Sequence, residues 1–326
     1  AKVIGAVAAA FAVVMVLPVE RAWAGPACVA VDLNPGPLGG AGTEAWGAGG
    51  TQQVGRGYVG LASHAVLWNG SAASYVDLHP SGFGTSSALN TDGVSQVGYG
   101  ESSGGAHALL WHGSAGTAVN LQPAGFRESY AYGVAGAHQV GVGYRLSDGS
   151  PRALLWSGEA NSYIDLTPSG FSTCTATGIC GIQQVGYGIG SYISKLPHAL
   201  IWSGTADCYV DLNPSGFDLT YALATNGAQQ VGYGASPATE NRPHALLWSG
   251  LADSYVDLNP SGFTNSMAFD TNSTQQVGRG LWSASGDLHA LLWNGQANSY
   301  VDLHQFLSSD FTSSLALGID ENGNVV

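Results

Sequence analysis

Histidine and aspartate recur at one fixed separation along this 326-residue chain: His64 with Asp77, His198 with Asp211, His244 with Asp257 and His289 with Asp302. In two further copies one member is exchanged, giving His107 with Asn120 and Arg152 with Asp165. A histidine facing a carboxylate is the raw material of general-base catalysis or of metal ligation. An enzyme needs one such site, however, and here the pair is written in every copy with polar substitutes tolerated. The repetition favours a structural pin, because buried polar groups need partners wherever they recur. The Asp-Leu-x-Pro turns offer one carboxylate each, whereas calcium takes six to eight oxygens. The one Gly-x-Ser-x-Gly spelling, Gly100 to Gly104, falls in a loop between two strand segments and is not the strand-to-helix turn of a nucleophile elbow. The sequence therefore nominates no catalytic residue, no metal and no cofactor.

The elements that position these pairs follow from the repeat. Trp68, Trp111, Trp156, Trp202, Trp248 and Trp293 fall 43 to 46 residues apart, the spacing of propeller blades. Each copy breaks into four short apolar segments, A to D, bounded by Gly, Asn, Pro or Ser. In the fifth copy A is 220–225, B is 229–234, C is 244–248 and D is 254–258. Segment A alternates small residues, with an alanine in all seven copies from Ala45 to Ala316, which suits the crowded inner end of a blade. Segment C is apolar on both faces, as in His244-Ala245-Leu246-Leu247-Trp248, so it must be sandwiched between neighbouring units. A parallel β-helix accounts less well for the hairpin turns.

Counting segments predicts a seven-bladed β-propeller of four-stranded antiparallel blades. In that arrangement Val29 to Leu33 supplies a fourth strand to a last blade built from the C-terminal A and B segments. Its third strand is missing because the sequence stops at Val326, and joining the ends would hide two sheet edges. The absent C segment and the absent first methionine together suggest a fragment.

The run His-Ala-Leu-Leu-Trp, Asp-Leu, Ser-x-Ala, Asn-Gly and Gln-x-Val-Gly resembles the bacterial HAF extracellular repeat family. Leu109, Leu200 and Leu246 stand where that family has phenylalanine, and Pro-Ser-Gly-Phe replaces its glycine-rich turn. The resemblance implies a secreted or surface-attached bacterial repeat protein and supplies no catalytic residues.

Composition bounds the partners. With 9 basic against 22 acidic residues, and no basic cluster, nucleic acid is not an expected partner. Residues 1–24 read as a signal peptide: Lys2, an apolar run from Val3 to Leu17, and Ala22-Trp23-Ala24 as cleavage site. The run is too short to span a bilayer, so 25–326 is expected as a single soluble propeller domain outside the cytoplasm, monomeric and with no membrane span. Of four cysteines, Cys174 and Cys180 lie at opposite ends of one predicted strand, and no disulfide is expected.

Function is sought where the wording changes. The loop between segments B and C lengthens from six residues in the first copy to nine in the fourth and fifth. It carries Arg145, Tyr192, Lys195, Arg242 and Trp282, the predicted ligand-binding residues, because loops on a rigid scaffold commonly carry recognition. These loops share a rim with the D-to-A turns and with Phe83, Phe126, Phe171, Phe217 and Phe263, which are expected to plug gaps between blades. The favoured reading is a non-catalytic binding or scaffolding module for an unidentified protein or glycan. A multivalent lectin with one sugar site per blade is the second reading. A polysaccharide hydrolase or lyase using Arg145, Lys195, Glu240 and Arg242 at the channel mouth is the third.

Overall fold

The computed structural model describes residues 13–16, 29–36, 42–190 and 195–326. Among them stand six four-stranded antiparallel sheets, each made of consecutive strands in the order A, B, C, D. Blade three is representative, with A at Phe126–Ala135, B at His138–Arg145, C at Pro151–Trp156 and D at Ile164–Asp165. Its A-to-B hairpin closes through Gly136 at φ 56°, a left-handed turn position that glycine enters without a Cβ penalty. The C-to-D connection is longer than the tight reversal expected from Ser-Gly. It runs through a single 3-10 turn, such as Ala252–Ser254, and leaves D strands of only two or three residues.

The core lies between blades rather than within them. Each segment-C tryptophan is fully buried: Trp111 of blade two packs with Val54, Ala65, Leu67 and Leu78 of blade one. Trp156 of blade three packs likewise with Val97, Ala108, Leu110 and Leu121 of blade two. Burying one indole contributes on the order of 4 kcal/mol of transfer free energy, so the ring holds only as neighbouring blades pair. Ala45, Ala88, Ala131, Ala176, Ala222, Ala268 and Ala316 are all buried on the small-residue face of segment A.

The expected seven blades are six. Val29–Asp32 pairs with Val13–Val16 in a separate two-stranded sheet instead of completing a last blade. The C-terminal A- and B-like segments form a single isolated bridge, Ile319 to Val325. In every complete blade D hydrogen-bonds only segment C, and the described C-terminal residues offer no such strand, so Val29–Asp32 has no ladder to join there. The C-terminal stretch is instead a wedge between blades six and one. Ala316, Ile319 and Val325 pack on Val277, Ala290 and Leu292 of blade six. Val326 joins Leu33 of the N-terminal segment and Ala45, Ala48, Val66 and Trp68 of blade one. Asn322 Nδ2 donates to the Gly50 carbonyl at 3.1 Å, and the Ile319 N–H donates to Asp270 Oδ2 at 2.9 Å.

Cys174, Cys180 and Cys208 are unpaired thiols, and Cys174 and Cys180 share the strand Phe171–Cys180. Among the described residues no helix is long and apolar enough to cross a membrane.

Candidate binding channel

The histidine and aspartate positions meet as the register requires. His64, His198, His244 and His289 place Nδ1 at 2.7–2.8 Å from the paired Asp Oδ2, His107 meets Asn120 at 3.0 Å, and Arg152 donates to Asp165 at 2.9 Å. The other oxygen of Asp257 accepts the Asn259 N–H at 2.8 Å. Asn259 Oδ1 accepts from Ser266 Oγ at 2.7 Å, and Ser266 Oγ accepts the Ala245 N–H at 3.1 Å. Ser266 belongs to blade six and Ala245 to blade five, so the chain of bonds pins adjacent blades. Blade four has Cys174 in place of that serine, and Thr167 Oγ1 takes the Ala153 N–H instead, at 3.2 Å. A network rebuilt with different residues to satisfy the same backbone group is a structural device.

The inner strand carries a second repeated device that periodicity did not disclose. In every blade the A-to-B register slips by one residue immediately after the alanine, a β-bulge. The unpaired residues are Trp46, Leu89, Tyr132, Thr177, Leu223 and Phe269, and all line the central channel. The first glycine of each Gly-x-Gly makes room for the bulge. A Cβ on Gly55, Gly98, Gly141, Gly186, Gly232 or Gly278 would lie 1.8–2.0 Å from a segment-A carbonyl oxygen. The second glycine admits a ring: a Cβ on Gly143 would be 2.6 Å from Phe126, and one on Gly280 2.5 Å from Phe263. Phe126 and Phe263 are thus buried plugs, with Tyr163 and Tyr300 edge-on against them.

The channel is a cavity of about 690 Å³. Tyr144, Tyr187, Tyr221 and Tyr233 line it together with the bulged Trp46, Tyr132 and Phe269. Tyr187 lies edge-on to Tyr221 at 4.7 Å, and Tyr221 stacks on Tyr233 at 4.8 Å. Burial, reinforced by Tyr144, Tyr187 and Tyr130, pushes the Tyr132 phenol well above its usual range. Burial and neighbouring Tyr221 push Tyr233 up to about 12, and burial with Glu128 and Glu101 does the same for Tyr130. These phenols stay neutral and present π faces. The charged lining residues are Asp92, Asp270, Asp320 and Glu321, all acidic. Asp270 is the exception among its counterparts Gly47, Asn90, Gly133, Gly178 and Ala224. Burial raises its carboxyl to about 7 against the lowering effect of the Ile319 and Thr271 N–H groups.

Of the predicted ligand-binding residues, Arg145, Lys195, Arg242 and Trp282 lie on blades three, four, five and six. Arg145 joins Arg152 on one carboxylate, with Nη2 at 3.2 Å from Asp165 Oδ2. It borders an open cavity of about 590 Å³ with Phe126, Leu146, Ser147 and Tyr163. Arg242 pairs with Glu240 at 3.4 Å on an exposed turn, and Lys195 is exposed. Trp282 stacks on His289 at 5.8 Å and stands edge-on to Phe263. Tyr192 lies outside the described residues. The rim shared by B-to-C and D-to-A turns is formed as expected: Leu146 donates to the Gly125 carbonyl, and Ser283 to that of Gly262.

No known family model matches the sequence, and no curated protein is similar to it at a significant level. Solved propellers are similar in fold. The β-propeller domain of the trilobed protease from Pyrococcus furiosus, reported with an open velcro topology, aligns over 86% of this chain and 83% of its own, with TM-score 0.59 and 10% identity. Pyrococcus horikoshii acylaminoacyl peptidase aligns over 86% of this chain and 46% of its own, with TM-score 0.55 and 11% identity. TolB from Acinetobacter baumannii aligns over 75% and 62%, with TM-score 0.49 and 14% identity, so this chain spans less than two thirds of that protein. At such identities the likeness is one of fold, that of an all-β propeller.

Proposed function

We propose that this chain is a secreted or surface-attached bacterial binding or scaffolding propeller of the HAF repeat type, without catalytic activity. The segment 1–24 and the repeated wording support the location and the family. One observation carries the functional reading: the bulge holds one backbone position constant in six blades while its side chain varies from Trp46 to Thr177. Constant backbone with varied side chains facing one cavity is the arrangement of a recognition surface on a rigid scaffold. The contact face of this reading is the end where the B-to-C loops carry Arg145, Lys195, Arg242 and Trp282, since Tyr144, which lines the channel, immediately precedes Arg145. One sugar site per blade is less favoured, because the pocket beside Arg145 has Val59, Ser102, Gly190, Ser236 and Trp282 at its counterparts.

Thermal-shift titration of the full chain against soluble oligosaccharides, polyamines and short peptides tests this reading. Saturable stabilisation at one site per chain, weakened in Tyr132→Leu or in Arg145→Ala with Arg242→Ala, is the expected result. Turnover of any ligand would overturn the non-catalytic reading, and several equivalent sites per chain would replace it with the lectin.

A further inference from the structure

Blades one and six already show what the channel's aromatic positions hold. In blade one the bulged Trp46 has the Arg56 guanidinium over its ring at 5.0 Å, with the Tyr58 ring 5.5 Å from the same carbon. In blade six the Arg279 guanidinium lies 6.0 Å from the bulged Phe269. Both arginines occupy the middle of Gly-x-Gly, one strand across from the bulge. Blade three has the same bulge and the same register, with Tyr132 as the extruded ring and Val142 at the arginine's position. Its rings outnumber those of blade one: Tyr130 stacks with Tyr132 at 6.3 Å and meets Tyr144 edge-on at 6.3 Å, and Tyr99 of blade two meets Tyr130 at 5.0 Å. Among the described residues the chain thus sets an arginine over the rings of two of these positions and over no ring of blade three.

Electrostatics points the same way. The charged groups lining the channel are carboxylates, the nearby Glu101 and Glu128 act on Tyr130, and the whole chain carries a net charge of −13. A π face is attracted to a cation, and more so where water is excluded. We infer that the channel binds an organic cation, an alkylammonium or guanidinium group, against Tyr132 and its neighbours on blades three and four. This rests on the channel being the ligand-bearing cavity, and it names the chemistry of what enters.

The probes are choline, its neutral isostere 3,3-dimethylbutan-1-ol, and arginine amide, titrated calorimetrically into the full chain. Choline or arginine amide is expected to bind at one site, with the isostere about tenfold weaker or worse, the weight of one desolvated cation–π contact. Stronger binding of one cation than of the other tells ammonium from guanidinium. Tyr132→Phe keeps the ring and is expected to keep binding, whereas Tyr132→Leu loses it. Val142→Arg places in blade three the residue that blades one and six carry at that register, so it is expected to fold and to exclude choline by occupying the site itself.

Equal affinity for choline and isostere, absence of binding by both cations, or undiminished choline binding in Val142→Arg would each overturn the inference. If a neutral oligosaccharide binds and Tyr132→Leu abolishes it, the cation inference fails while the channel remains the binding site. If binding of every ligand survives Tyr132→Leu and is lost in Arg145→Ala with Arg242→Ala, the channel itself is displaced by the rim.

Discussion

Two repeated positions, one at the outer end of the blades and one at the inner, obey opposite rules. At the outer pin the hydrogen bonds are constant and the residues are chosen to keep them, so that Arg152 can stand in for histidine and Thr167 for the missing serine hydroxyl. At the inner bulge the backbone is constant and the side chain is free, running from tryptophan through leucine, tyrosine and threonine to phenylalanine. A position that preserves its contacts maintains the ring. A position that preserves only its geometry and faces a cavity is available for recognition.

The contrast breaks most severely at the glycine beneath a bulge. Gly141→Ala would drive a Cβ to 1.9 Å from the Tyr130 carbonyl oxygen, which is backbone and cannot give. A loss of about 3 kcal/mol or more is expected by urea denaturation, with blade three unable to keep its register. Retained stability would mean that the bulge is dispensable. Ser266→Ala comes next. It leaves the buried Ala245 N–H without its acceptor, at about 1–3 kcal/mol, and should leave ligand binding untouched. His244→Ala removes a bond to a carboxylate that is 42% exposed, so about 1 kcal/mol is expected in the same assay.

Asp270 sharpens the comparison through pH. Its carboxyl is raised in the folded chain, so the folded state holds the proton more tightly than the unfolded one. Its contribution is complete below the ordinary carboxylate range and is lost as pH rises through about 7. Melting temperature measured from pH 4 to 8 should therefore fall less steeply in Asp270→Ala, which installs the residue that blade five carries as Ala224. An unchanged slope would mean that the wedge contact at Ile319 does not depend on this group's charge. The smallest effect is expected for Arg242→Ala, whose partner Glu240 is 76% exposed: melting should be unaltered within error.

Much of the ring was legible in the sequence. Period, the tryptophan core, the small-residue inner strand and the pairing of His244 with Asp257 all follow from residue types at fixed spacing. The blade count does not, because a segment has the same wording whether or not it finds a ladder. Val29–Asp32 needs a C strand beside it, and segment resemblance carries no information on whether that strand exists. The bulge was hidden for a related reason: alternation of small residues continues through it, with Ala131 and Gly133 still reading as one face. The signal lay in Gly-x-Gly, since an obligatory glycine opposite an alternating strand marks close backbone approach. The B-to-C loops stand out in the sequence because they vary in length, whereas the channel residues vary only in identity.

The most direct test sets Tyr132→Leu against Ser266→Ala, measuring choline affinity and melting temperature on both. The account predicts that Tyr132→Leu loses choline while melting close to wild type, and that Ser266→Ala keeps choline while melting lower. The reverse pattern, with binding lost at Ser266 and stability lost at Tyr132, would contradict the division of the blade into a structural pin and a recognition bulge.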